Sequence, residues 1–152
     1  GGGALEGGKE VHMRIVVVDG QGGGIGRLLV EKLKARLGGH TLIAVGTNAL
    51  ATSAMLRAGA DAGATGENAV LFNCKSADVL LGPAGVAVPD AMLGEISPRM
   101  AEAVQNSPAH TLLLMMDRCV PRAGGQSARP IGEALDELVE AAVRYAARQE
   151  ER

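Results

Sequence analysis

Aromatic residues are nearly missing from this chain of 152 residues: there is no Trp, and Tyr and Phe occur once each. Nucleic-acid modules that stack bases need a platform of rings, so the scarcity argues against them. A charge of one sign is lacking too, since 15 Lys and Arg stand against 17 Asp and Glu. The formal net charge of −2 leaves no basic footprint for a phosphate backbone. The two cysteines, Cys74 and Cys119, lie far apart and match no paired metal spacing. They read as reduced thiols, which suits a cytoplasmic protein. No apolar run reaches the ~18–20 residues of a membrane helix, and no basic-then-apolar leader opens the chain. The expectation is a cytoplasmic protein with no membrane and no nucleic-acid partner.

Aliphatic residues and glycine are plentiful. A hydrophobic share of 47% excludes a disordered chain, and the core must come from Val, Leu, Ile, Ala and Met. The 22 glycines amount to about twice the usual ~7% share. Several fall in residues 1–12, GGGALEGGKEVH, which lack apolar periodicity and precede Met13. That segment reads as a flexible extension or a cloning remnant, leaving residues 13–152 as one domain.

From Met13 onward, short β-type runs alternate with helical patterns. Residues 14–18 (RIVVV) and 41–45 (TLIAV) are continuous apolar runs, as expected of strands covered on both faces. Between them Leu29, Leu33 and Leu37 recur at helical spacing before Gly38-Gly39 stops the pattern. Thr47 or Asn48 can cap a second helix reaching Ala58. Residues 60–82 are ambiguous, because Val70-Leu71-Phe72 could itself be a strand. Regular alternation favours a strand at 62–65, a helix from Glu67 to about Cys74 and a strand at 78–81. Ser97-Pro98 opens a helix to about Asn106, and residues 111–116 form a fifth strand. A loop over 121–130 leads to a last helix near Ile131, with a stripe of Leu135, Leu138 and Ala142. Such alternation means parallel strands with right-handed crossovers. The fold class is α/β, a three-layer doubly wound parallel sheet of about five strands in the order 3-2-1-4-5.

The first strand runs into Asp19-Gly20-Gln21-Gly22-Gly23-Gly24-Ile25-Gly26. Glycines at such a place turn the chain, admit a ligand to the backbone and let helix and strand pack closely. The helix N-terminus beyond offers free N–H groups and partial positive charge, which suit a phosphate. The spacing is neither G-x-G-x-x-G, whose third position would fall on Ile25, nor a P-loop. It does fit G-x-x-x-G-I-G, and in this it resembles the cofactor loop of short-chain dehydrogenase/reductases. The likeness stops there. The one tyrosine, Tyr145, is followed by Gln149 where a Tyr-x-x-x-Lys pair needs lysine, and Gly46-Thr47-Asn48 offers no acid for a ribose.

The runs IVVVDGQGGGIG, GTNALATSAMLRAGADAGATGEN, ADVLLGP and LGEISPRMAEAV resemble an uncharacterised bacterial family of small Rossmann-like proteins, a domain of unknown function. The resemblance covers Met13 to Cys119. It implies a nucleotide-binding type of fold, and it carries no activity and no catalytic residue with it.

Ligands of open α/β sheets bind beyond the carboxyl ends of the strands, where the strand order reverses. The expected cofactor-binding residues are therefore Gly20, Gln21, Gly22, Gly23, Gly24, Ile25 and Gly26, with Thr47, Asn48, Gly82 and Pro83. Thr47 and Asn48 suit a 2′-phosphate or simply a helix cap. Asp19 is expected to hold the loop by accepting N–H bonds; a metal shared with Asp117 finds no support in His or Cys spacing. Glu67, Asn68, Ala84, Gly85 and Arg118 complete the rim. Glu95, ahead of Ser97-Pro98, reads as a first-turn acid at a helix N-terminus. His12, His40 and His110 read as solvated.

Three functions remain open. The first is a nucleotide- or dinucleotide-binding protein, with NAD(P) or another nucleotide as cofactor. The second is an enzyme for a small phosphorylated or carboxylated substrate, using Asp19, Glu67, Asp117 or Cys119. The third is a non-catalytic partner subunit. A homodimer through the last helix is a further expectation.

Overall fold

The computed structural model describes residues 11–115 and 130–152. The elements run β1 (Arg14–Asp19), α1 (Gly24–Leu37), β2 (Thr41–Gly46), α2 (Ala49–Arg57), β3 (Ala62–Thr65) and α3 (Glu67–Ser76). They continue with β4 (Val79–Pro83), a 3-10 turn (Ala84–Ala87), α4 (Pro98–Gln105), β5 (His110–Leu114) and α5 (Ile131–Glu150). All strand pairs are parallel, and the sheet order is β3-β2-β1-β4-β5. This is the doubly wound α/β class and order that the alternation predicts.

Period-two burial explains the layers. Ile15, Val17, Leu42, Ala44, Val79 and Leu81 point to one side, where α1, α2 and α5 pack. Val16, Val18, Ile43, Val45 and Leu80 point to the other, against α3 and α4. A strand buried on both faces has no polar face to show, which is why β1 and β2 read as unbroken apolar runs. Leu135, Val139, Ala142 and Ala146 of α5 are buried against the chain's own sheet. Among the described residues the core contains no aromatic side chain: Phe72 is exposed, and Tyr145 stacks on His110 with ring centroids 4.1 Å apart.

Most boundaries fall within a residue or two of the sequence reading, and three differences matter here. The fifth strand spans His110–Leu114 and leaves Met115 exposed, while Met116 lies outside the described residues. The fourth runs on through Gly82 and Pro83, which belong to the strand and not to the loop after it. β4 pairs with β1 only from Val79 to Leu81, yet with β5 as far as Pro83. The β1–β4 ladder thus ends at Leu81, yet Gly82 still lies tight against β1: a Cβ there would lie 2.4 Å from the Val18 carbonyl oxygen. Finally, Val11 packs on the core and the His12 ring bonds the Thr41 hydroxyl at 2.6 Å, so neither is free chain.

The other histidines are engaged too. His40 Nδ1 accepts from the Met13 N–H at 3.0 Å, and the His110 ring is the one stacked on Tyr145. Cys74 is buried, and desolvation pushes its thiol up to about 11, as befits an unreactive core sulfur. No helix among the described residues is long and apolar enough to cross a membrane.

Candidate functional site

The strand order reverses between β1 and β4, and beyond the strand ends there the loops after β1, β2 and β4 come together. β1 delivers Asp19, 4% exposed, to the base of the glycine loop. Its Oδ1 accepts from the Gly20 N–H at 2.7 Å and its Oδ2 from the Gly26 N–H at 2.6 Å. Asp19 thereby joins the two ends of the loop, the role the sequence suggested. Burial raises its pKa, and the two N–H bonds oppose that rise. With both oxygens engaged, it is not placed to act as a free acid or base.

The loop itself turns through Gly23, whose N–H reaches the Gly20 carbonyl at 2.9 Å. Gly23 has φ +72° and sits against Ala51, so turn and packing both demand glycine. Gly26 is closed by the Asp19 Cβ and the Met55 sulfur, 2.8 and 2.6 Å from where its own Cβ would be. Gly22 and Gly24 are different. Neither has a left-handed φ, and a Cβ at either would meet nothing within 4 Å. The N–H groups of Gly22, Gly24 and Ile25 find no acceptor among the described residues. Three unpaired donors and two side-chain-free positions therefore share the N-terminus of α1.

Beyond β2, Asn48 is the N-cap of α2, its Oδ1 accepting from the Ala51 N–H at 2.9 Å. Its Nδ2 donates to the Gln21 carbonyl at 2.8 Å, which ties the β2 loop to the glycine loop. Glu67, at the start of α3, accepts from the Ser97 hydroxyl at 2.5 Å and lies 3.7 Å from Arg99. It fastens α3 to α4 and does not reach the glycine loop. Ser97 caps α4 through the Met100 N–H, as Ser-Pro predicted.

Glu95 departs from its expected role. It is no first-turn acid: it lies two residues before the Ser97 cap and points across the crevice. Its Oε1 accepts from the Gln21 N–H at 2.8 Å, the Thr47 hydroxyl at 2.6 Å and the Asn48 Nδ2 at 3.0 Å. These donors hold its carboxyl below the usual value, the Thr47 bond foremost. The segment carrying it is bent through Asp90, Met92 and Leu93, all with φ between 57° and 65°. Met92 comes with it, its sulfur 2.8 Å from where a Gly20 Cβ would stand. Of the remaining expected residues, Asp117, Arg118 and Cys119 lie outside the described residues.

Two grooves lie away from this cluster. One of about 710 Å³ runs between β5 and α5 over Leu113, Leu114 and Leu138, and one of about 540 Å³ follows the β3 edge beside Phe72. No cluster of three or more His, Cys, Asp or Glu able to hold a metal exists among the described residues.

The parallel sheet and its strand order define a Rossmann-like α/β domain. Residues 14–147 match the family described as Domain of unknown function (DUF3842), and the chain belongs to that family. Comparison with curated proteins finds no match. Among solved structures, a candidate epimerase from Bacteroides thetaiotaomicron is similar at 17% identity and TM-score 0.46, over 84% of this chain and 63% of that one. A candidate alcohol dehydrogenase from Thermotoga maritima is similar at 19% identity and TM-score 0.41, over 90% of this chain and 38% of that one. The chain thus spans less than two thirds of either. A dodecameric FMN-dependent UbiX-like decarboxylase from Escherichia coli O157:H7 is similar at 14% identity and TM-score 0.41, over 86% and 91%.

Proposed function

We propose that the chain binds a nucleotide or dinucleotide, NAD(P) or another adenine nucleotide, with its phosphate on the glycine loop at the start of α1. The observation that carries this reading is the openness of Gly22 and Gly24. Packing and backbone conformation account for Gly23 and Gly26 but not for these two. A ligand that approaches the backbone closely is a physical reason to lack a side chain there. Beside them stand the N–H groups of Gly22, Gly24 and Ile25, at the positive end of a 14-residue helix. Such donors suit a phosphate.

In this reading Gly20, Gln21, Gly22, Gly23, Gly24, Ile25 and Gly26 form the phosphate cradle. Thr47 and Asn48 hold the neighbouring wall, and Gly82 and Pro83 line the side formed by β4. Titration calorimetry with ADP-ribose, NAD and ATP is the test. Saturable heat is expected for at least one of them, and Gly24→Val should abolish it by filling the space the phosphate needs. Absence of heat from every adenine nucleotide up to about 1 mM, where binding is weaker than about 4 kcal/mol, sinks the proposal.

A further inference from the structure

Resting on that nucleotide reading, we propose that Glu95 recognises the ribose and restricts the site to ligands whose ribose diol carries no phosphate. In folds of this class a carboxylate just past the second strand accepts from a ribose hydroxyl. Here β2 ends at Gly46 and gives way to Thr47 and Asn48, which provide no acid. The structure fills that place from a different segment. Glu95, on the loop between β4 and α4, lays its carboxylate on Thr47 and Asn48, beside Gly20.

The two oxygens of this carboxylate differ. Oε1 accepts all three hydrogen bonds, from the Gln21 N–H, Thr47 and Asn48. Oε2 has no hydrogen-bond partner among the described residues, nor does any Lys or Arg there pair with Glu95. An ionised carboxylate is an acceptor only, so Oε2 is matched by a hydroxyl that donates and opposed by a phosphate that cannot. The donors a 2′-phosphate would use are already taken, since the Thr47 hydroxyl and the Asn48 amide both point at Oε1. Charge and hydrogen-bond supply thus exclude the same ligand.

The presenting loop supports the assignment. Asp90, Met92 and Leu93 hold φ of 65°, 58° and 57°, and Gly94 follows at 92°. Side-chain-bearing residues rarely adopt that region, and three within four positions persist only where surrounding bonds impose it. The Asp90 N–H to Ile96 carbonyl bond at 2.7 Å and the Gly94 N–H to Asp90 carbonyl bond at 3.1 Å do so here. Glu95 is therefore presented on a fixed loop.

The test is calorimetry of NAD, NADP, ADP and 2′-deoxy-ADP on the wild-type chain and on Glu95→Gln. Glutamine keeps an oxygen for the three donors and puts an NH2 where Oε2 was, so the loop stays and the free acceptor goes. A single cooperative thermal transition, its midpoint lowered only by the loss of charge on the three bonds, would show that. Wild-type protein should bind NAD at least about tenfold tighter than NADP, and ADP about tenfold tighter than 2′-deoxy-ADP, as for a hydrogen bond to a charged group. Glu95→Gln should lose about tenfold toward NAD and narrow the gap to NADP. Equal wild-type affinities for ADP and 2′-deoxy-ADP overturn the role of Glu95 and leave the phosphate loop standing. So does a Glu95→Gln that binds NAD as well as wild type or better. Failure of all four ligands overturns both readings together.

Discussion

Asp19 and Glu95 grip the same loop, one from beneath and one from across the crevice, and their titrations act on stability with opposite signs. Burial lifts the Asp19 carboxyl above 3.8, so its protonated form favours the fold and that contribution fades as pH rises through the folded value. Glu95 is held below its ordinary 4.5 by the Thr47, Gln21 and Asn48 donors. Its contribution is fully present above 4.5 and is lost as pH falls through the folded value. Urea unfolding of Glu95→Gln should therefore show a shallower loss of stability below pH 4.5 than wild type, with the two curves parallel at higher pH. Identical slopes in acid would mean that the three donors do not favour the ionised form of Glu95 in the fold. Sequence marks these two carboxylates unequally. Asp19 adjoins the loop it holds and could be read from its neighbours. Glu95 bonds the Gln21 N–H across 74 positions, and a local pattern that explained it well, an acid before a Ser-Pro cap, concealed the longer reach.

The elements were legible wherever burial imposes a period. β1, β2, α1 and α5 announce themselves by continuous apolar runs or helical stripes, because their neighbours cover them fully or along one face. The stretch from 60 to 82 was harder, since β3 is a four-residue edge strand of small, largely exposed residues. Alternation of strand and helix, not its own composition, identified it. The end of β4 is hidden for a related reason: Gly82 and Pro83 look like a loop, yet they stay in the ladder with β5 after the ladder with β1 has ended. Within α1, the sorting of glycines gives a measurable contrast. Gly26→Ala must push against the Asp19 Cβ at 2.8 Å and displace the Met55 sulfur, and overpacking of this kind costs about 1–3 kcal/mol. Gly24→Ala enters open space in the first helical turn, where removing glycine's freedom should leave stability within about 0.5 kcal/mol of wild type or raise it slightly. Chemical denaturation of the two variants distinguishes them. Equal destabilisation would mean that Gly24 is a packing residue, and the openness argument for the phosphate site would fail.

For the molecule as a whole, the strand order brings three loops from distant parts of the chain together at one edge of the sheet. The glycine loop follows β1, Thr47 and Asn48 follow β2, and the Glu95 segment follows β4. They are joined to one another through the Asn48 bond to the Gln21 carbonyl and the three bonds to Glu95. A ligand in the crevice would touch all three loops at once, and unfolding would scatter them. Binding must then be linked to global stability and not merely to a local ordering. At a free ligand concentration of 100 times Kd, a site present only in the native state adds about 2.7 kcal/mol. For a chain of this length, with about 2–4 °C per kcal/mol, the thermal midpoint should rise by about 5–10 °C. The rise should grow with the logarithm of ligand concentration and disappear in Gly24→Val, whose own midpoint without ligand provides the baseline. A nucleotide that gives calorimetric heat but no such rise would be binding the unfolded chain equally well, or a part of the protein whose structure survives the transition. In either case these three loops would not be its site, and the Rossmann-like crevice would be a scaffold whose function lies elsewhere on the molecule.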